Sequence, residues 1–280
     1  MDPELAKKLI AAVDRMPAFP KNVQELLELT RHMDCSPKEV VLVIEKDPVL
    51  TVKILRVINA AYFNLRRPIT SVNHAVIFLG FNTIKNLSLG VAAIGILPAH
   101  NSADFDGQQC LLHSLSCAGI AQQIALRVAD VDPMECYVAG LLHDFGKLVL
   151  AQYFPDEFKQ ALEHSLTHAT SLHLSLREIM GIDHSSIGAM LVEKWRFPEK
   201  LVEAIRYQYG PELKDTPMIA CVFTANQISK KLAFGFAGNT CVEELPPSIV
   251  TRLGGNLDEV IASLGDLAPM YEEAKKFSRM

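Results

Sequence analysis

The chain is predicted to fold entirely as α-helices, and three observations carry that prediction. Apolar residues recur at three- and four-residue spacings through most of its 280 positions, the period of a helix with one buried face. Helix-start signals built around proline recur as well. No stretch sustains the alternation and turn chemistry of paired strands. The expected architecture is an N-terminal helical bundle packed on a second helical bundle, with about a dozen helices of roughly 8–20 residues.

The first ten residues, MDPELAKKLI, read as a charged amphipathic helix rather than a secretion signal. Ser36-Pro37-Lys38-Glu39 supplies an N-cap, a proline at the first helical position and a capping-box glutamate. Asp47-Pro48 opens the next helix, in which Val49, Val52, Ile54, Leu55 and Ile58 form the apolar pattern. The polar stretch 98–107, PAHNSADFDG, is a break, and a long helix follows over about 106–129 with Leu115, Ile120, Ile124 and Val128 on its apolar positions. Asp132-Pro133-Met134-Glu135 repeats the capping logic, and Asp183 and Pro198 start two more helices. A second break, FGFAGNT at 234–240, precedes short C-terminal helices. These breaks divide the chain at 1–100, 101–235 and 236–280.

Composition narrows the function classes. Net charge is −5, made up of +3 over 1–100, −5 over 101–235 and −3 over 236–280. No segment carries the basic stripe of a dedicated nucleic-acid binder, so DNA is not an expected partner. The longest apolar run, 87–97, is too short to cross a bilayer and contains two glycines. The six cysteines, at 35, 110, 117, 136, 221 and 241, form no C-x-x-C pair, and several fall in apolar helical patterns. Reduced thiols in a soluble cytoplasmic protein, with no membrane contact, are the expectation.

The chemistry concentrates in two places. His113 shares a helical stripe with Cys117, Ile124 and Val128 and so faces the core. The segment 139–150, AGLLHDFGKLVL, places His143 and Asp144 in an apolar helix, where their polar atoms need strong partners. Adjacent side chains on a helix diverge by about 100°, so both reach one ion only in a crevice between helices. His113 is a third partner for it, Gly146 allows close helix packing, and Lys147 can reach an anion near the metal.

LLHSLSCAGIAQQIA followed by GLLHDFGK resembles the HD-domain phosphohydrolase superfamily. The segments MPAFPKNVQELLEL, DPVLTVKILRVINAAYF, ITSVNHAVIFLGFNTIKNLSLG and DHSSIGAMLVEKWRFPEKLVEAI resemble, in order, the blocks of one branch of it, the HDOD family. The resemblance runs from about residue 15 to 231, and the region after 232 has no clear counterpart. It implies an all-α, HD-domain-like second bundle and a bacterial signal-transduction role exercised mainly through protein–protein contacts. It also implies a divalent metal (Fe, Mn, Mg or Zn) held by His113, His143 and Asp144. His184 matches a histidine used at a second metal by the related HD-GYP phosphodiesterases. Two departures stand out. Tyr207-Gln208-Tyr209 occupies the place of a His-His pair, and Asn226 occupies the place of the last aspartate.

With one carboxylate in place of two, the site is expected to be degenerate, because a hard divalent ion needs anionic oxygen to be held tightly and to ionise its water. Three readings follow: a bound metal without turnover, a structural network in which Asp144 orients a histidine or pairs with Lys147, and an active metal-dependent phosphohydrolase acting on a nucleotide or cyclic nucleotide with Lys147 in a catalytic role. A nucleotide sensor that binds without cleaving is a further variant. Asn59, with Lys53 and Arg56, is a candidate interaction surface, although Asn59 also suits a structural tie to the following loop. Trp195 and Phe197 read as core. Arg66-Arg67 reads as a solvated loop, and His164, His168 and His173 as a weak surface metal candidate.

Overall fold

The structure, a computed structural model, describes Lys7, Ala11 and residues 21–29, 36–59, 67–95, 103, 105–210 and 213–278. Among these residues it contains helices and no strand. The opening helix apart from Lys7, the proline segment 16–20, Cys35, Arg66 and most of the break at 98–107 lie outside the described residues.

Five helices build the N-terminal part: α1 (Lys21–Leu29), α2 (Pro37–Glu45), α3 (Pro48–Ile58), α4 (Val72–Leu79) and α5 (Phe81–Gly95). The capping box at α2 is formed, with the Ser36 side chain accepting from Glu39 N–H and the Glu39 carboxylate accepting from Ser36 N–H at 2.8 Å. Asp47 caps α3 through the N–H groups of Val49 and Leu50. Ile54 and Ile58 of α3 are fully buried, but Val49 and Val52 are exposed. That corrects the reading of all its apolar residues as one buried pattern.

The second part holds α6 (Gly107–Ala125), α7 (Pro133–Leu142), α8 (Phe145–Tyr153), α9 (Pro155–Thr167), α10 (Leu172–Met180), α11 (His184–Lys194), α12 (Glu199–Arg206) and α13 (Pro217–Lys231). Three short helices follow: α14 (Pro247–Leu253), α15 (Leu257–Leu264) and α16 (Ala268–Ser278). The described residues thus form sixteen helices where about a dozen were expected, because prolines and polar breaks divide several apolar runs. Helix α6 stops at Ala125, four residues before the expected end, as Arg127 and Val128 turn back on Ile124 and Ala125 in tighter bonds and Asp130 takes a positive φ of 61°.

Helix α6 is the axis of this part. It packs against α7, α13 and α16, while α5 joins the N-terminal helices to α7. Fourteen of its residues are buried, so nearly every face of it is covered. Two glycines set the close approaches that place the site. A Cβ on Gly140 would lie 2.9 Å from the Ala118 Cα, so α7 crosses α6 backbone to backbone, one turn before His143. A Cβ on Gly146 would collide with the His184 carbonyl oxygen, so α8 lies directly on the start of α11. Trp195 and Phe197 are buried, with Trp195 edge-on to Phe145. Among the described residues no helix is long and apolar enough to cross a membrane.

Candidate metal centre

The His-Asp pair does not sit inside a helix as expected. Helix α7 ends at Leu142 and α8 begins at Phe145. His143 closes the first, and Asp144 opens the second with φ −101° and ψ 7°. The break lets adjacent side chains turn to the same place, where an unbroken helix would set them about 100° apart. His143 Nε2 lies 3.3 Å from Asp144 Oδ2.

Further elements bring groups to Asp144. From α6, His113 Nε2 lies 3.6 Å from Asp144 Oδ2. From the start of α11, His184 Nε2 lies 3.2 Å from Oδ1. From α8, Lys147 Nζ donates to Oδ2 at 2.6 Å and to the carbonyl of Ala237 at 2.8 Å. After α12, the Tyr209 hydroxyl lies 3.5 Å from Oδ1 and itself accepts from Asn226 Nδ2 at 2.6 Å. Asn226, on α13, presents Oδ1 to His113 Nε2 at 3.1 Å. His113, His143, Asp144, Lys147, His184, Tyr209 and Asn226 are all buried. The structure therefore gathers His113, His143, Asp144, Lys147, His184 and Asn226 into one cluster.

Lys53, Arg56 and Asn59 lie elsewhere, on α3 and its C-terminal cap. Both ends of the Asn59 amide are engaged: Nδ2 donates to the carbonyls of Leu55 and Ile69, and Oδ1 accepts from Ile69 N–H. This ties α3 to the loop before α4. The three outlying histidines do not converge on one site. His164 and His168 stack at the surface, whereas His173 is buried against Tyr209.

Burial and charge together set the protonation states. Burial works against ionising Asp144, but His143 and Lys147 outweigh it and hold its carboxyl well below the usual range. Burial pushes His113 well below its ordinary value against the pull of Asp144, and it lowers His184, aided by Lys147. Burial and Asp144 push Tyr209 and the Cys117 thiol upward. The cluster thus holds an ionised carboxylate, with His113, His184, Tyr209 and the Cys117 thiol neutral beside it.

The hydrogen-bond inventory shows what the cluster lacks. His143 Nδ1 donates to the Gly140 carbonyl at 2.7 Å. Its Nε2 faces the Asp144 carboxylate at 3.3 Å yet makes no hydrogen bond. Both nitrogens of His184 are equally without a hydrogen bond, because the close approach to Asp144 is poorly aligned for one. Buried polar atoms are nearly always satisfied. Several acceptors here converge on a common space that a cation would satisfy. His113, Cys117 and His143 each offer a donor atom, all within 4.8 Å of one another, and this cluster could bind a metal ion. In donor chemistry and in buried nitrogens left without a hydrogen bond, the residues fit one.

Sequence reasoning misses three members of this shell. Cys117, one turn after His113, reads in sequence only as a buried thiol. Ser229 faces His113 Nδ1 at 3.0 Å, and its i+3 spacing from Asn226 is the available signal. Ala237 belongs to a segment that reads in sequence as a mere break.

The comparisons with known proteins agree with the helical fold. The HDOD domain family model matches residues 16–211. Among solved structures, an HDOD domain protein of unknown function from Geobacter sulfurreducens superposes with a TM-score of 0.80 at 25% identity, covering 98% of this chain and 97% of the other. A phosphohydrolase candidate from Shewanella amazonensis gives 0.74 at 24% identity, covering 96% and 97%. A signal-transduction candidate from Marinobacter aquaeolei gives 0.73 at 23%, covering 99% of this chain and 66% of the other. The last two speak for the fold alone. A curated Treponema pallidum protein with no assigned function is 24% identical over 89% of this chain, and the chain spans about half of that relative's length, 48%. The family model stops short of the C-terminal helices, as expected for the region after 232, while the Geobacter structure aligns over 98% of this chain.

Proposed function

The chain belongs to the HDOD domain family, and from that premise we propose that it is a signal-transduction module acting through contacts with other proteins. Its buried His–Asp cluster serves as a structural centre, with or without a divalent ion, and does not turn over a phosphoester. One observation carries this reading: Asp144, the cluster's carboxylate, is bound by Lys147 at 2.6 Å with neither side chain exposed beyond 1%. A hydrolytic centre needs its carboxylate free for the metal and its metal open to substrate and water. Here the segment 234–239 lies over the cluster. Its Ala237 carbonyl takes the second hydrogen bond of Lys147, and Phe236 N–H donates to Gln109 on α6.

The surface supports the contact role. Leu42 on α2, Val49 and Val52 on α3, and Ile77 and Phe78 on α4 are large apolar side chains left 47–74% exposed. Exposed apolar groups gathered on neighbouring helices are a usual sign of an interaction surface. Lys53 stands on α3 with the two valines, and a partner with acidic groups suits it.

The second reading, a metal-dependent phosphohydrolase acting on a nucleotide or cyclic nucleotide, draws on the metal-capable trio His113, Cys117 and His143. One experiment separates the two. The purified protein is loaded in turn with Mn, Fe, Mg and Zn and offered a panel of phosphomonoesters, nucleotides and cyclic dinucleotides, beside Asp144→Ala. No turnover is expected from either protein. Turnover present in the wild type and absent in Asp144→Ala establishes the hydrolase, and nucleotide-dependent thermal stabilisation without product identifies a sensor.

A further inference from the structure

We propose that Cys117 is a metal ligand in this chain, its thiolate supplying an anionic donor that Asn226 cannot, and that the centre therefore takes a thiophilic ion of the zinc class rather than magnesium or manganese. The inference rests on the reading of the cluster as a metal-holding centre and adds to it the identity of the donors.

Three observations place the sulfur there. Cys117 follows His113 by one turn of α6, and its Sγ lies 3.4 Å from His113 Nε2. The Sγ, a His113 nitrogen and a His143 nitrogen all fall within 4.8 Å of one another. The third observation points to a ligand independently of the thiol: His143 Nε2 is fully buried and makes no hydrogen bond, while Nδ1 donates to the Gly140 carbonyl. A hydrogen-bonded second nitrogen of this kind is how proteins orient ligating histidines.

His113 has a matching device. Ser229 Oγ lies 3.0 Å from His113 Nδ1 and 3.1 Å from the Phe234 carbonyl. When the serine donates to that carbonyl it accepts from Nδ1–H, and Nε2 is left as a lone pair beside Cys117. The alternative tautomer sends Nε2–H to Asn226 Oδ1, at 3.1 Å. The network accommodates both an ion-free and an ion-bound state without moving the backbone.

Charge selects the donor. A divalent ion beside Asp144 and Lys147 would leave two uncompensated positive charges in a sealed core, which burial strongly disfavours. Deprotonating Cys117 removes one of them. The thiol proton passes to the buffer as the sulfur–metal bond forms, and no electron is transferred. Sulfur and two imidazoles form a set that zinc favours and hard oxygen-seeking ions do not.

The test is cobalt substitution of the full chain. Chelator-treated protein is titrated with Co(II) and its absorption recorded, for the wild type, Cys117→Ser and Cys110→Ser. The wild type and Cys110→Ser are expected to show the near-ultraviolet sulfur-to-cobalt charge-transfer band. Cys117→Ser is expected to lose the band and to give up zinc to a chelator about tenfold or more readily. A band that survives in Cys117→Ser, cobalt bound without any such band, or no cobalt bound at all overturns the proposal. Should Cys117→Ser fail to fold, the wild-type spectrum and Cys110→Ser decide it. A band accompanied by phosphoester turnover would instead overturn the non-hydrolytic reading and leave the thiolate assignment standing.

Discussion

Lys147 stands one helical turn after Asp144, and its Nζ lies 2.6 Å from the Asp144 carboxylate, both side chains sealed from solvent. Removing one partner of such a pair leaves a buried charge without compensation. Asp144→Ala is expected to lower unfolding free energy by about 3–5 kcal/mol, and Lys147→Met by a similar amount. The double variant should lose clearly less than the sum. Urea unfolding of the four proteins checks this; additive losses would show that the two residues do not form one unit.

The contact between α8 and α11 depends on Gly146 having no side chain. The atom a Cβ would meet is the backbone carbonyl oxygen of His184, which no rotamer change can move aside. Gly146→Ala is expected to cost about 3 kcal/mol or more, the upper range for overpacking, and to displace His184 from Asp144. Gly254 provides the contrast. It has a φ of +73°, and a Cβ added there would meet nothing within 4 Å, so Gly254→Ala should cost only about 1–2 kcal/mol from backbone strain. Thermal unfolding of the two variants, side by side, distinguishes collision from conformation.

Acid should destabilise this protein well before its carboxylates protonate. Burial, reinforced by His184, pushes His173 down from 6.5 to about 3, against a smaller opposing pull from Asp183. The folded state keeps His173 neutral while the unfolded chain protonates near 6.5. Stability is therefore full above that value and falls as pH drops from about 6.5 toward 3. Asp183 adds a second loss at lower pH, between 3.8 and about 2. Burial alone would raise it, but His184, the Ser186 N–H, the Ser185 hydroxyl and Arg177 override that effect. His173→Phe, which keeps a ring against Tyr209, should flatten the slope between about pH 7.5 and 5 in urea titrations. An unchanged slope would remove His173 from the account.

The helical fold was legible because its signals are local. The Ser36–Glu39 box and the aspartate caps at Asp47, Asp132 and Asp183 are written within four residues each, and the structure forms every one of these caps. The break between His143 and Asp144 was not legible, since AGLLHDFGKLVL has unbroken helical composition. It is imposed by tertiary contacts, Gly140 on α6 and Gly146 on α11. Local pattern specifies the elements, and long-range packing decides where they bend. The cluster was partly legible for the same reason. His113, His143, Asp144 and Lys147 stand in two short segments, but Ser229, Tyr209 and Ala237 arrive from far along the chain. The exposure of Val49 and Val52 also escaped a local reading, because a helical stripe does not say whether another helix covers it.

Asn226 offers the most direct test of the charge balance in the cluster. Its Nδ2 donates to the Tyr209 hydroxyl at 2.6 Å and its Oδ1 lies 3.1 Å from His113 Nε2. Asn226→Asp replaces the donating nitrogen with an anionic oxygen, so the Tyr209 hydroxyl must turn its proton toward the new carboxylate. It also sets a second buried negative charge near Asp144, which is paired by Lys147 and also felt by Lys230 on α13. Without metal the variant should be about 1–3 kcal/mol less stable than the wild type, the usual cost of a poorly compensated buried polar change. A divalent ion reverses the sign of that effect, because the added carboxylate is then a ligand. Excess Mn(II) should therefore raise the melting temperature of Asn226→Asp by more than that of the wild type. Melting curves of both proteins with chelator and with Mn(II) read this out. Equal manganese responses would show that position 226 takes no part in holding an ion.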